Sequence, residues 1–228
     1  MKDAGVRAEF LTKEDASEYI DRYFAMDFTH KTLSMNNFKV DEECVRMGDR
    51  KCKIFSLVDV DSINLPSLVR PFANIEVNNT QMPVDVMAAI DQIPEARTVV
   101  YNQMIFIPNQ KRELALLEKK KNRHASIPNP GNQMAVEDIK QVQEVMAREG
   151  KQLVYTHYNL VVCCDSDADL QKPTNHLENT FGRMGVHISK RAYNQLELFV
   201  NSFPGNCYGM SAEYDRFLTL GDAAACLM

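Results

Sequence analysis

Two apolar, β-branched runs constrain the fold more than anything else in the chain: Thr98 to Ile107 (TVVYNQMIFI) and Leu153 to Cys164. Val, Ile, Tyr and Phe suit a pleated, half-buried surface, so both runs predict strands. Two helical segments lie between them. Pro108 opens one that reaches about Lys121, with Leu114, Ala115 and Leu117 inward. His124 to Asn132 reads as a loop, rich in Pro, Asn and Gly. A second helix covers 134–149 and stops at Gly150, a residue suited to a left-handed C′ position.

The flanking segments extend the pattern. Thr12 suits an N-cap, with Glu14 and Asp15 in the first turn, and Ala16, Tyr19, Ile20, Tyr23 and Phe24 recur at helical spacing over 13–28. Residues 43–58 read as a hairpin turning at Gly48-Asp49. An excursion, 59–82, holds an extended Leu68-Val69-Arg70-Pro71-Phe72, and Pro83 to Ile90 reads as a short helix. After the second long strand, Asp165 or Ser166 caps a helix to about Arg183 with Pro173 in its first turns. A short strand at 186–189, a helix at 192–203 and a small helix at 221–227 follow. The expected class is α+β: a mostly antiparallel sheet with helices on one face, in split β-α-β-like units. One domain spans 1–228, open to subdivision into a hairpin part, 1–82, and a β-α-β part, 83–228.

Composition narrows the function. The chain has 228 residues, 45% hydrophobic and 25% charged, enough for a real core. A formal charge of −5 is not that of a general nucleic-acid binder. No run of eighteen apolar residues predicts a membrane span, and the acidic N-terminus is no secretion signal. Six cysteines at 44, 52, 163, 164, 207 and 226 suit reduced thiols in the cytoplasm.

Motifs for chemistry are sparse. Cys163-Cys164 with His157 lacks paired metal-ligand spacing, so no metal site is expected. Asp165, Asp167 and Asp169 suit the start of a helix better than a calcium loop. No G-x-S-x-G elbow occurs, and no catalytic residue is assigned. A phosphate-cradling loop needs Gly-x-x-x-x-Gly-Lys-Ser/Thr, which is absent. Two features stay open. The cationic run Lys119, Lys120, Lys121 and Arg123 would touch DNA phosphates or an acidic partner, or it would complement a helix C-terminus. The absence of interleaved aromatics favours the helix end. Pro204, Gly205, Asn206 and Gly209 would make a turn after a helix, or a joint between domains.

Several soft motifs, in order, carry a family likeness. They are Lys53-Ile54-Phe55-Ser56-Leu57-Val58-Asp59-Val60-Asp61, Leu65-Pro66, Val69-Arg70-Pro71-Phe72, Asn102-Gln103-Met104-Ile105-Phe106, Leu116-Leu117-Glu118-Lys119-Lys120, Tyr158-Asn159-Leu160-Val161-Val162 and Phe203-Pro204-Gly205-Asn206. From Thr12 onward the chain resembles the N-terminal domain of the TraG family, bacterial conjugative-transposon ATPases related to the assembly ATPases of type IV secretion. The family's phosphate loop, magnesium-binding acid and motor core have no counterpart here. The resemblance implies a non-catalytic interaction and scaffolding domain, with ATP and Mg held by a motor domain absent from this chain and no cofactor of its own. Implied partners are that motor, other subunits of the same protein and secretion-channel proteins at the inner membrane. The implied location is the cytoplasm, at the periphery of the membrane apparatus. The other expectations are a DNA-binding accessory module using Lys119 to Arg123 and a small stand-alone enzyme.

Overall fold

The computed structural model describes residues 9–30, 38–56, 90, 92–165, 167–183, 188–190, 193–206, 209–211 and 215–225, and the backbone of 72–75 and 80–83. The excursion through 59–71, the interior of the helix expected over 83–90, Cys207 and Cys226 lie outside the described residues.

The chain runs α1 (Lys13–Ala25), β1 (Phe38–Val40), β2 (Val45–Met47), β3 (Arg50–Ser56), β4 (Phe72–Ile75), β5 (Thr80–Pro83) and β6 (Ala96–Phe106). It continues through α2 (Gln110–Ala125), α3 (Pro130–Glu149), β7 (Leu153–Asp165), α4 (Gln171–Arg183), β8 (Ser189–Lys190), α5 (Gln195–Asn201), β9 (Phe217–Leu220) and α6 (Gly221–Ala225). The main sheet follows the order β1-β2-β3-β7-β6, with β8 beside β3 and β9 beside β7. Every pairing in it is antiparallel. β4 and β5 form a separate two-stranded hairpin.

β7 is the centre. Twelve of its thirteen residues are buried or half-buried, and only Asp165 is exposed. Its alternate side chains feed two cores. Tyr158, Leu160, Val162 and Cys164 meet Phe55 of β3 and Leu177 and Phe181 of α4 on one face. Val161 and Cys163 meet Cys52 and Ile54, Tyr23 of α1 and Met26 just after it, and Leu198 and Phe199 of α5 on the other. The antiparallel α+β class is as expected. The helices cover both faces of the sheet, where the sequence placed them on one. The reason is β7 itself: a strand apolar on both sides needs cover on both.

Local chemistry explains the element ends. Thr12 caps α1 as expected: its hydroxyl accepts the Asp15 N–H at 3.1 Å, and the Asp15 carboxylate reaches back to the Thr12 N–H at 3.3 Å. Gly150 closes α3 at φ 67°. The breaker-rich loop is shorter than expected, 126–129, because Asn129 is an N-cap and Pro130 is the first helical residue, which proline tolerates. Ala115, expected inward, is exposed, while Leu114 and Leu117 are half-buried. β1 and β9 were not foreseen.

β9 settles the place of the described C-terminal residues. It pairs with β7 from Leu153↔Leu220 to Thr156↔Phe217. The Ala224 carbonyl of α6 then accepts from the Tyr158 hydroxyl at 3.0 Å and from Gln103 Nε2 at 2.7 Å. Residues 217–225 are thus part of the sheet's packing.

Candidate functional site

The densest polar cluster joins α1 to the sheet. Arg50, the first residue of β3, sends one guanidinium nitrogen to the carbonyls of Ala25 and Met26, at 3.0 and 2.5 Å. The other reaches Asp27 Oδ2 at 2.8 Å, both side chains being about nine-tenths buried. These carbonyls lie at the negative end of α1, so the cation does the work of a C-cap. Burial alone would raise the Asp27 carboxyl. Backbone N–H groups of His30 and Thr29, the His30 ring and Arg50 outweigh it, holding the group well below the usual carboxylate range. Asp27, His30, Asp49, Arg50 and Arg97 line a cavity of about 250 Å³. Arg97 is itself paired with Asp165 at 2.6 Å. With both arginines paired to acids, the cavity is a charge lock on α1 rather than an anion receptor.

A second cluster is fully buried. His157 Nδ1 donates to the Asp215 carbonyl at 2.7 Å, and its Nε2 lies 3.2 Å from Asn159 Nδ2. Cys52 lies directly opposite Cys163 in the β3–β7 register. Burial pushes the Cys52 thiol well up and Cys164 up to about 11. Cys44, Cys52, Cys163 and Cys164 are free and buried. Among the described residues no group of three or more His, Cys, Asp or Glu could hold a metal ion.

The third feature is an arm. α2 and α3 pack on each other between β6 and β7, and only Glu113 and Ile139 of the pair are buried. Gln110 anchors its base, exchanging bonds of 2.8 Å with the N–H and carbonyl of Leu153; Tyr155 donates to Glu113 at 2.8 Å. At the bend, Asn132 Nδ2 donates to the Ile127 carbonyl at 2.6 Å and Asn132 Oδ1 meets His124 Nδ1 at 2.8 Å. That ordered bend displays apolar side chains: Ile127 is 61% and Met134 69% exposed. Beside them a hollow of about 370 Å³ is lined by Ala125, Pro128, Asn132, Gln133, Val136 and Lys140, among others.

The two residue sets singled out from sequence lie apart. Lys119, Lys120, Lys121 and Arg123 fall in the last turns of α2. Lys119, Lys120 and Arg123 are exposed; Lys121 is held by Glu118 at 2.7 Å and Gln143 at 3.2 Å. Pro204, Gly205 and Asn206 form an exposed turn after α5, with Gly205 at φ 86° and Asn206 Nδ2 bonded to the Val200 carbonyl at 3.0 Å. Gly209 lies against Asn201, whose Oδ1 a Cβ would meet at 2.6 Å. Sequence reading missed Ile127 and Met134. An Ile between Ser126 and Pro128, inside a breaker-rich stretch, was the available signal.

Among the described residues no helix is long and apolar enough to cross a membrane. No curated protein matches the chain. The family model described as TraC protein matches residues 2–207, nearly the whole length. The TraG likeness read from the motifs and this match agree on conjugation and type IV secretion. The chain belongs to the TraC protein family, and so to the proteins of conjugative, type IV secretion-related systems.

Proposed function

We propose that this chain is a non-catalytic interaction and scaffolding module of a conjugative DNA-transfer machine. The observation that carries the reading is the α2–α3 arm, a helical hairpin with Ile127 and Met134 displayed at a hydrogen-bonded bend. Exposed apolar side chains beside a hollow are what a partner's anchor residues fill. In this reading the module serves a motor ATPase of the TraG-like kind, which supplies ATP and Mg chemistry. The arm faces the channel proteins of the inner membrane from the cytoplasmic side. The joint after α5, with Pro204, Gly205, Asn206 and Gly209, is where movement of the motor would be relieved. The chain itself turns over nothing and needs no cofactor.

Donor cells carrying Ile127→Asp with Met134→Asp, in the protein as the cell makes it, test this. An anchor worth about 2 kcal/mol or more implies a loss of about 30-fold in partner affinity, and DNA transfer should drop accordingly. Protein level and melting temperature should stay unchanged, because both side chains are exposed. Undiminished transfer sinks the reading.

A further inference from the structure

α2 carries its free charge on one side. At about 100° of turn per residue, Arg112, Lys119, Lys120 and Arg123 all fall within about 60° of Leu116 around the helix. All five are exposed, Leu116 at 45%. Lys121 is paired with Glu118, whereas Arg112, Lys119, Lys120 and Arg123 have no ion pair among the described residues. The other side of α2 is spent on folding. Gln110 bonds Leu153, Lys121 holds Gln143, and His124 meets Asn132. Both acids of the helix are engaged there too: Glu113 is buried under the Tyr155 hydroxyl, and Glu118 takes Lys121 and Gln143.

The helix end explains only part of this stripe. A C-terminus draws cations into its last turn, which accounts for Arg123 and His124. Lys119 and Lys120 stand further back, and Arg112 stands in the first turn, where the helix dipole opposes a cation. Leu116 lies in the middle of the four, which says what kind of anion fits. A nucleic-acid backbone would meet the cations but offers nothing to an aliphatic side chain. A helix of another protein offers both, because apolar and charged side chains alternate on one face at spacings of three, four and seven residues. Those are the spacings of Lys119, Lys120 and Arg123 from Leu116, with Arg112 four residues before it.

We propose that this face of α2 docks an acidic helical segment of a partner protein, with an apolar side chain of the segment on Leu116 and its Asp or Glu residues on Arg112, Lys119, Lys120 and Arg123. From Arg112 to Arg123 the stripe spans about 17 Å of helix axis, which a partner helix of about 12 residues covers. The cations steer the encounter and reject basic partners; Leu116 loses water on docking. Ala125, which lines the hollow at the bend, lies about 180° around α2 from Leu116. The cationic face is therefore a surface distinct from the bend, and loss of one leaves the other intact.

Donor cells that make the protein with the photo-crosslinking residue benzoylphenylalanine in place of Leu116 test this. After illumination, mass spectrometry of the crosslinked peptide should identify a protein segment with Asp or Glu at helical spacing around an apolar residue. Lys119→Glu with Lys120→Glu and Arg123→Glu should cut the crosslink yield about tenfold or more, since three attractions become repulsions. Lys119→Arg with Lys120→Arg keeps the charge and should keep the yield. Ile127→Asp with Met134→Asp should also keep it, so the bend is tested separately by its effect on DNA transfer. Immunoblots, and circular dichroism of the purified variants, check level and folding. A crosslink to DNA or lipid, a crosslink to a segment without acids, or no crosslink at all overturns the proposal, as does a yield that ignores the triple charge reversal.

Discussion

Replacing Arg50 by Met should cost this domain about 3–5 kcal/mol, the range for breaking a buried pair by removing one partner. The structure sets that expectation. The guanidinium is held by Ala25, Met26 and Asp27, and the Arg50 and Asp27 side chains are each only 8% exposed. Methionine fills much of the space but donates nothing. Asp27 is left buried without the guanidinium, held only by donors from Thr29 and His30, and the carbonyls at the end of α1 lose a donor. Against a typical total of about 5–15 kcal/mol, this is a large fraction, equivalent to roughly 6–20 °C in melting temperature for a chain of this size. Asp27→Leu together with Arg50→Met should recover part of the loss, since no buried charge then remains unpaired. The acid limb adds a second readout. Asp27 is depressed in the fold, so its contribution is complete above the usual carboxylate pKa of about 4 and is lost as pH falls below it. Stability of the wild type should therefore decline from about pH 5 downward, and Arg50→Met should flatten that decline. Urea titration at pH 7 and pH 3 measures both. A cost under about 1 kcal/mol at pH 7, with an unchanged acid limb, would refute the reasoning.

Other outcomes follow from single contacts. Thr12→Ala removes the acceptor of the Asp15 N–H and should cost about 1 kcal/mol in urea titration, read against the wild type. Phe199→Ala opens a hole where a fully buried ring stacks on Tyr23 at 5.4 Å, and should cost about 3–5 kcal/mol by the same measurement. Gln at Lys119, Lys120 and Lys121 should change stability by no more than about 1 kcal/mol, because only the part-exposed contacts of Lys121 with Glu118 and Gln143 are lost. A salt-dependent DNA affinity present in the wild type and absent from this variant would assign the run to phosphates instead. Hydrogen exchange should show Phe217 to Leu220 protected nearly as well as Leu153 to Thr156, with which they pair; exchange at loop rates would contradict that pairing.

How far the fold was legible depended on where the signal lay. β6 and β7 were read nearly to the residue because long β-branched runs have no competing interpretation. Thr12 and Gly150 were read because caps depend on one residue's chemistry. Phe217 to Leu220 was invisible: four residues are too short for a period, and their strand state depends on β7, more than fifty residues earlier. The arm was half legible. Its helices were anticipated, but Pro128 and Pro130 read as loop although the second begins α3. The charge lock was not legible at all, since Arg50 and Asp27 are 23 residues apart and neither belongs to a motif. The chemistry of Lys119 to Arg123 was visible as charge, but the division between exposed Lys119, Lys120 and Arg123 and engaged Lys121 depended on helix phase against α3.

The distribution of cover over the sheet limits how such a module could bind its neighbours. β7 is buried on both faces, with α4 against one and α1 and α5 against the other, so the faces are spent on folding. Phe10, Leu11 and Tyr193 are exposed, and the outer edge of β6 and the bend of the arm also face outward among the described residues. The edge and the bend present different chemistry. An edge offers main-chain donors and acceptors in a row and accepts an extended strand, whereas the bend offers Ile127, Met134 and a hollow and accepts side-chain anchors. Gln110 links the two physically: it sits between the finish of β6 and the arm, and both its amide atoms are fixed on Leu153. Gln110→Ala should therefore loosen the angle of the arm without touching the β6 edge. It would reduce DNA transfer while leaving the hydrogen-exchange protection of β6 and β7 unchanged, and loss of that protection as well would mean that arm and sheet open as one unit.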